Sequence, residues 1–360
     1  MNTKIQHFVP RTYIKAWEGP VTSRQNPSEI FNGVYYFAGD DKIGDGRNKG
    51  SILWKPNLYT VSFDQAFIGE RCTKIKKDFV EKIYELMRNR KPQPVYGKHG
   101  RAIIKTKESI RKHMADVDEW EFYYDDGNLA RKAGIIKSIH DLNSYILENE
   151  FSRRFETSWP NVLSQLIHQL HDPSRRRKEG KDQYVDFETD TAYEIFAFFQ
   201  MMQCRSPRFD GLGILTWLNN TIKDILEGET ETMMEAVWYA ELYKMLFQNN
   251  HGYYHTMLKS EMEHCQMICF EAIDGAGMFI TSDNPAFLYK TKAPERYERT
   301  GYYFPISPYH LLFMGKGSGL FNSMIYRVAD RKTVRLFNQM IYQAKDESIV
   351  SKERELEAFL

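Results

Sequence analysis

Apolar positions along this chain recur with two periods, and each change of period marks a change of element. After Glu70, Ile75, Phe79, Ile83 and Met87 fall at helical spacing, which predicts an amphipathic helix ending before Pro92. A second stripe, Ile135, Ile139, Leu142 and Ile146, predicts a helix from Leu129 to about Glu156. Its continuation puts Glu150, Arg153 and Glu156 where apolar residues are expected. Trp159-Pro160 then ends that run and opens a helix reaching His171, because the residue before a proline avoids the helical region. Asp190 to Cys204 is apolar nearly all round, as a helix buried on most sides should be. Pro207 stops it and leaves Arg205 at its C-terminal end. Helices are also predicted over Leu212 to Leu226, over Thr232 to Lys259, from an Asp330 cap through Ala344, and in a short charged tail from Lys352 to Leu360.

The shorter period gives β-prone runs at Val34 to Phe37, Ser51 to Trp54 and Tyr59 to Phe63, around the Gly/Asp-rich segment Ala38 to Gly50. Another lies at Gln266 to Ile273. Between Met278 and Met314 two apolar, β-prone runs each stop at Ser and Pro, so strands there end in tight polar turns. The expected fold is therefore α+β and predominantly helical, with a small antiparallel sheet packed on the buried central helix from Asp190 to Cys204. Without a linker or an internal repeat, the chain reads as one unit over residues 1–360, with an N-terminal β-rich lobe over about 1–65.

Composition narrows the function classes only at the edges. The 360 residues carry 49 Lys and Arg against 48 Asp and Glu, so no whole-chain field draws the protein to nucleic acid or anionic lipid, and any basic surface must be local. Ser174 to Lys181 reads as such a surface, a polar basic loop able to contact phosphates or simply to be solvated. No apolar run approaches the roughly 18 residues of a membrane span, and Met1 to Gly19 has no apolar signal core. Four cysteines without a C-x-x-C pair fit reduced thiols, and the expectation is a soluble cytoplasmic protein that does not engage membranes.

Four blocks carry a family resemblance: His7-Phe8-Val9-Pro10-Arg11-Thr12-Tyr13-Ile14, Phe279-Ile280-Thr281-Ser282-Asp283-Asn284-Pro285, Pro305-Ile306-Ser307-Pro308 and Val334-Arg335-Leu336-Phe337-Asn338. In this order they resemble the bacterial and fungal domain of unknown function DUF4238, and Gln203-Cys204-Arg205-Ser206-Pro207 is similar to that family's Arg-containing helix end. The resemblance implies positions and no chemistry.

Two readings of the polar residues follow. In one, His7, Glu150 or Glu156, Arg205 and Asp283 share a pocket. His7, Glu156 and Asp283 then hold a divalent metal or act as acid and base, and Arg205 grips a phosphate with its guanidinium fork. That describes a metal-assisted hydrolase of phosphodiesters, a nuclease among them, with nucleic acid or another phosphate-containing ligand as partner. In the other, Glu156 and Arg205 form a buried ion pair, His7 bonds the backbone, Asp283 caps a turn, and the protein is a non-catalytic binding or regulatory protein with a structural polar cluster. His251 and His255 stand at the spacing of helical metal ligands, with Glu261, His264, Cys265 and Cys269 beyond them, but the Glu of H-E-x-x-H is missing. Cys204 beside Arg205 reads as a core cysteine, with no triad partner near it in sequence.

Overall fold

A computed structural model of the chain describes residues 5–64, 73–206, 259, 262–290, 300–317 and 321–360. The helices expected over Leu212 to Leu226 and Thr232 to Lys259, the His251 and His255 pair, Glu261 and the Cys204 side chain lie outside the described residues. The chain divides into two compact units, one containing residues 59–64 and 73–150 and the other 5–58, 151–206 and the described residues from 259 onward.

The smaller unit is built on the helix Thr73–Arg88, whose Ile75, Phe79, Ile83 and Met87 are buried as their spacing requires. Beside it a three-stranded antiparallel sheet runs in the order Ala102–Ile104, Val95–His99, Glu121–Tyr124. The Leu129 to Glu156 stripe is not one helix. It is a helix at Lys132–His140, a short strand at Asn143–Ser144 paired with Val61–Ser62, and then a helix Ile146–Phe151 that runs into a π-turn at Ser152–Glu156. The apolar stripe is real, but strand pairing at Asn143 gives the chain a second way to bury it.

The larger unit corrects the expected small sheet and helical predominance. It contains a seven-stranded sheet ordered Arg176–Glu179, Asp182–Asp186, Ser323–Ala329, Cys265–Ala272, His310–Lys316, Gly301–Ser307, Phe287–Tyr289, and a separate five-stranded sheet. All neighbours in the large sheet are antiparallel except Cys265–Ala272 with Ser323–Ala329. Both of its faces are covered. Phe304 meets Trp159, Phe198 and Phe199 from two helices on one side, while its neighbour Tyr303 meets Phe337 of the helix Arg331–Ala344 on the other. A sheet buried on two faces reads as continuous apolar runs, and short runs of that kind do not announce how many strands will pair.

Two further details differ from expectation for local reasons. The basic segment after Ser174 is a hairpin turned at Gly180, where φ is +59°. Its charges are paired across strands, Arg177 with Asp186 at 3.0 Å and Arg327 with Asp182 at 2.9 Å. The tail forms a strand Ser348–Ser351 and a single turn at Leu356–Ala358. The helix Thr189–Arg205 is buried nearly all round, including Ile195, Phe196, Phe199, Met201 and Met202. No helix of the described residues is long and apolar enough to cross a membrane.

Candidate metal centre

All four residues expected to form a pocket lie in the larger unit, and three of them meet. Arg205 is fully buried at the end of its helix; its Nε donates to the His7 carbonyl oxygen at 2.7 Å and its Nη1 to Glu156 Oε1. The guanidinium also lies 5.3 Å from the Phe151 ring centre. It contacts the His7 backbone, and the His7 imidazole turns to the Gly50 carbonyl, with Nε2 at 3.2 Å. Burial, aided by the charges of Arg11 and Arg205, pulls that imidazole down to about 4 against the bond to Gly50, so it is neutral near pH 7. Glu150 belongs to the smaller unit and pairs there with Lys74 at 2.6 Å.

Asp283 stands apart from these three, and no contact joins it to His7, Glu156 or Arg205. Its carboxylate accepts the backbone N–H groups of Asp346, Glu347 and Ser348 at 2.8, 2.7 and 2.9 Å, so it holds the turn that leads into the strand Ser348–Ser351. The other sequence blocks and their neighbours do similar work. Asn338 donates to the carbonyls of Met278 and Phe359 and accepts from Ile280 N, while Trp17 Nε1 donates to Phe279 O and Tyr13 OH to Pro305 O. The four sequence blocks therefore brace one another through backbone groups.

A different polar group forms where sequence reading placed none. Glu271 and His310 face each other across neighbouring antiparallel strands, so their side chains emerge side by side on one face. His171, the last residue of the helix Trp159–His171, reaches the same point: its Nε2 is 2.9 Å from Glu271 Oε1. His310 Nε2 is 3.8 Å from that oxygen, and the three ligand atoms all lie within 4.8 Å of one another. An ion about 2.1 Å from each of three ligands separates them by about 3.0 to 3.5 Å, so small side-chain adjustments close this set around a cation.

The surroundings orient two of the three. Tyr326 OH donates to Glu271 Oε2 at 2.6 Å and leaves Oε1 toward the imidazoles. Ser307 Oγ is 2.9 Å from His310 Nδ1, and with the proton on Nδ1 the Nε2 lone pair points at the centre of the group. His310 is only 5% exposed, yet its Nε2 has no hydrogen-bond partner among the described residues. Burial lowers the His310 imidazole to about 4, opposed by the Glu271 charge, and so keeps it neutral, the form that ligates. Burial alone would raise the Glu271 carboxyl, but hydrogen bonds from Tyr326 and His171, with the charge the imidazoles carry when protonated, hold it below its ordinary value. His171, half exposed, is the open side of the group.

The signal in the sequence was faint. Glu271 and His310 stand in mostly apolar strands that also carry Gln266 and Lys316, and their partnership depends on a register that only the fold supplies.

The family model described as a protein of unknown function (DUF4238) matches residues 5–355, and the chain belongs to that family. No curated protein and no solved structure matches it.

Proposed function

We propose that this protein is a metal-assisted hydrolase of phosphodiesters that holds one divalent ion between His171, Glu271 and His310. The observation that carries the reading is the buried, unpartnered Nε2 of His310, aimed at a carboxylate oxygen that a second imidazole also approaches. A buried nitrogen without a partner costs free energy, and a cation in the group removes that cost. Two imidazoles and one carboxylate suit Zn²⁺, Mn²⁺ or Fe²⁺ better than Mg²⁺ or Ca²⁺, which prefer all-oxygen sets. Three protein ligands leave positions for water and for a substrate oxygen, and an ion so bound makes hydroxide available near neutral pH while drawing charge from a phosphoryl oxygen. Phosphate as the substrate class is supported by the hairpin that follows His171, where exposed Lys178 and Lys181 make no ion pair among the described residues.

The test is hydrolysis of bis(p-nitrophenyl) phosphate and of single-stranded nucleic acid by chelator-stripped protein reloaded with Zn²⁺ or Mn²⁺. The expected result is turnover that needs the ion and is lost in His310→Ala. Hydrolysis that survives both the chelator and His310→Ala contradicts the reading. An ion that binds at this group while no phosphodiester is cleaved favours the second reading, a non-catalytic binding or regulatory protein, which the fully committed hydrogen bonds of Arg205 and Asp283 also suit.

A further inference from the structure

The hairpin that follows His171 carries three consecutive arginines, and two of them are explained by charge. Arg175 pairs with Glu188 at 2.8 Å, and Arg177 with Asp186 at 3.0 Å. Arg176 has no carboxylate partner among the described residues. Its Nε and Nη2 instead converge on one acceptor, the Leu170 carbonyl, at 3.3 and 2.9 Å. Leu170 immediately precedes His171, and its carbonyl is one of those that a helix end leaves without a partner inside the helix. A cation there also meets the negative end of the helix dipole. The same guanidinium lies 5.0 Å from the centre of the Tyr326 ring, and it is the Tyr326 hydroxyl that donates to Glu271 Oε2 at 2.6 Å.

We propose that Arg176 is a positioning residue of the metal centre, fixing the helix end that presents His171 and, through the Tyr326 ring, the carboxylate of Glu271. The proposal rests on the reading that His171, Glu271 and His310 bind a divalent ion. Its physical content is preorganisation. His171 and Glu271 come from a helix end and a strand, and a single rigid fork in contact with both supports sets their separation before an ion arrives. Arg176→Lys keeps the charge and a single donor nitrogen, but a lysine can neither bond Leu170 with two nitrogens nor place a planar guanidinium against the Tyr326 ring.

The experiment uses the full chain, stripped with chelator and titrated with Co²⁺, whose visible absorption reports ligand number and geometry, and with Zn²⁺ in competition. Arg176→Lys, Arg176→Gln and Tyr326→Phe are compared with wild type, and thermal unfolding of each metal-free protein is recorded. Loss of an outer support of this kind weakens metal binding by about 10- to 100-fold. The expected result is a loss of that order in both Arg176 variants, a smaller loss in Tyr326→Phe, altered Co²⁺ bands in all three, and metal-free unfolding close to wild type. A variant combining Arg176→Lys with Tyr326→Phe should lose less than the two single losses combined, because both act on Glu271. If Arg176→Gln does not fold, Arg176→Lys and Tyr326→Phe carry the test. Wild-type affinity and wild-type bands in the Arg176 variants overturn the proposal and leave the metal centre standing. Failure of the wild type itself to bind Co²⁺ or Zn²⁺ overturns the metal centre, and the proposal with it.

Discussion

Two sets of polar residues in the larger unit differ in what they leave open. Arg205 and Asp283 are committed to their own chain: the guanidinium to Glu156 and the His7 carbonyl, the carboxylate to three successive backbone N–H groups. His171, Glu271 and His310 instead converge on one another and leave a buried nitrogen, His310 Nε2, without a hydrogen-bond partner among the described residues. The first arrangement is complete within the chain, and the second is the one we propose a bound ion completes. Residue type alone does not separate the two sets, since each includes a carboxylate. What separates them is whether local backbone supplies the missing partner.

Substitutions should divide along the same line. The largest effect is expected from Arg205→Met, which strands Glu156 without its cation. Breaking a buried pair from one side costs about 3–5 kcal/mol, which urea unfolding will register, and the folded fraction should still bind metal. Asp283→Ala comes next. It removes the acceptor of three N–H groups, and with each exposed donor costing about 1–3 kcal/mol before water partly replaces the carboxylate, a net loss of about 3 kcal/mol is expected with metal affinity unchanged. If Asp283→Ala abolished metal binding in folded protein, the division drawn here would be wrong.

The smallest effect concerns pH. Burial holds His7 at about 4, whereas in the unfolded chain an imidazole titrates near 6.5. Between these values the unfolded state binds the extra proton, so this contribution to stability is fully present above about pH 6.5 and is lost as pH falls toward 4. Because the ring is only half-buried, the loss should amount to about 1 kcal/mol after solvent screening. His310 also titrates low, so the readout is the difference between wild type and His7→Gln in urea unfolding at pH 7 and pH 5, with the variant showing the shallower dependence.

Much of the helical structure was legible because a helix declares itself over many residues. The spacing of Ile75, Phe79, Ile83 and Met87, the all-round apolar Thr189–Arg205 and the Asp330 cap, whose Oδ1 accepts from Thr333 N at 2.8 Å, are local facts. The seven-stranded sheet was legible only in single strands, such as Cys265–Ala272, expected at Gln266 to Ile273, and its size and order were not. Its strands are short, covered on both faces and collected from segments as distant as Arg176 and Ala329. The candidate site was hidden for the same reason. His171 is a helix end, Glu271 and His310 meet only through strand register, and no spacing in the sequence links the three. His7, Arg205 and Asp283 drew attention because they lie in strong sequence blocks, and Glu156 because it continues an apolar stripe; those residues hold the backbone together.

The most direct test is a calorimetric Zn²⁺ titration of chelator-stripped wild type, His310→Ala and Glu271→Gln, each first shown to be folded by circular dichroism. The account predicts one ion per wild-type chain and loss of that binding in both variants. A wild type that takes up no ion, or a His310→Ala protein that binds it as tightly as wild type, contradicts the account.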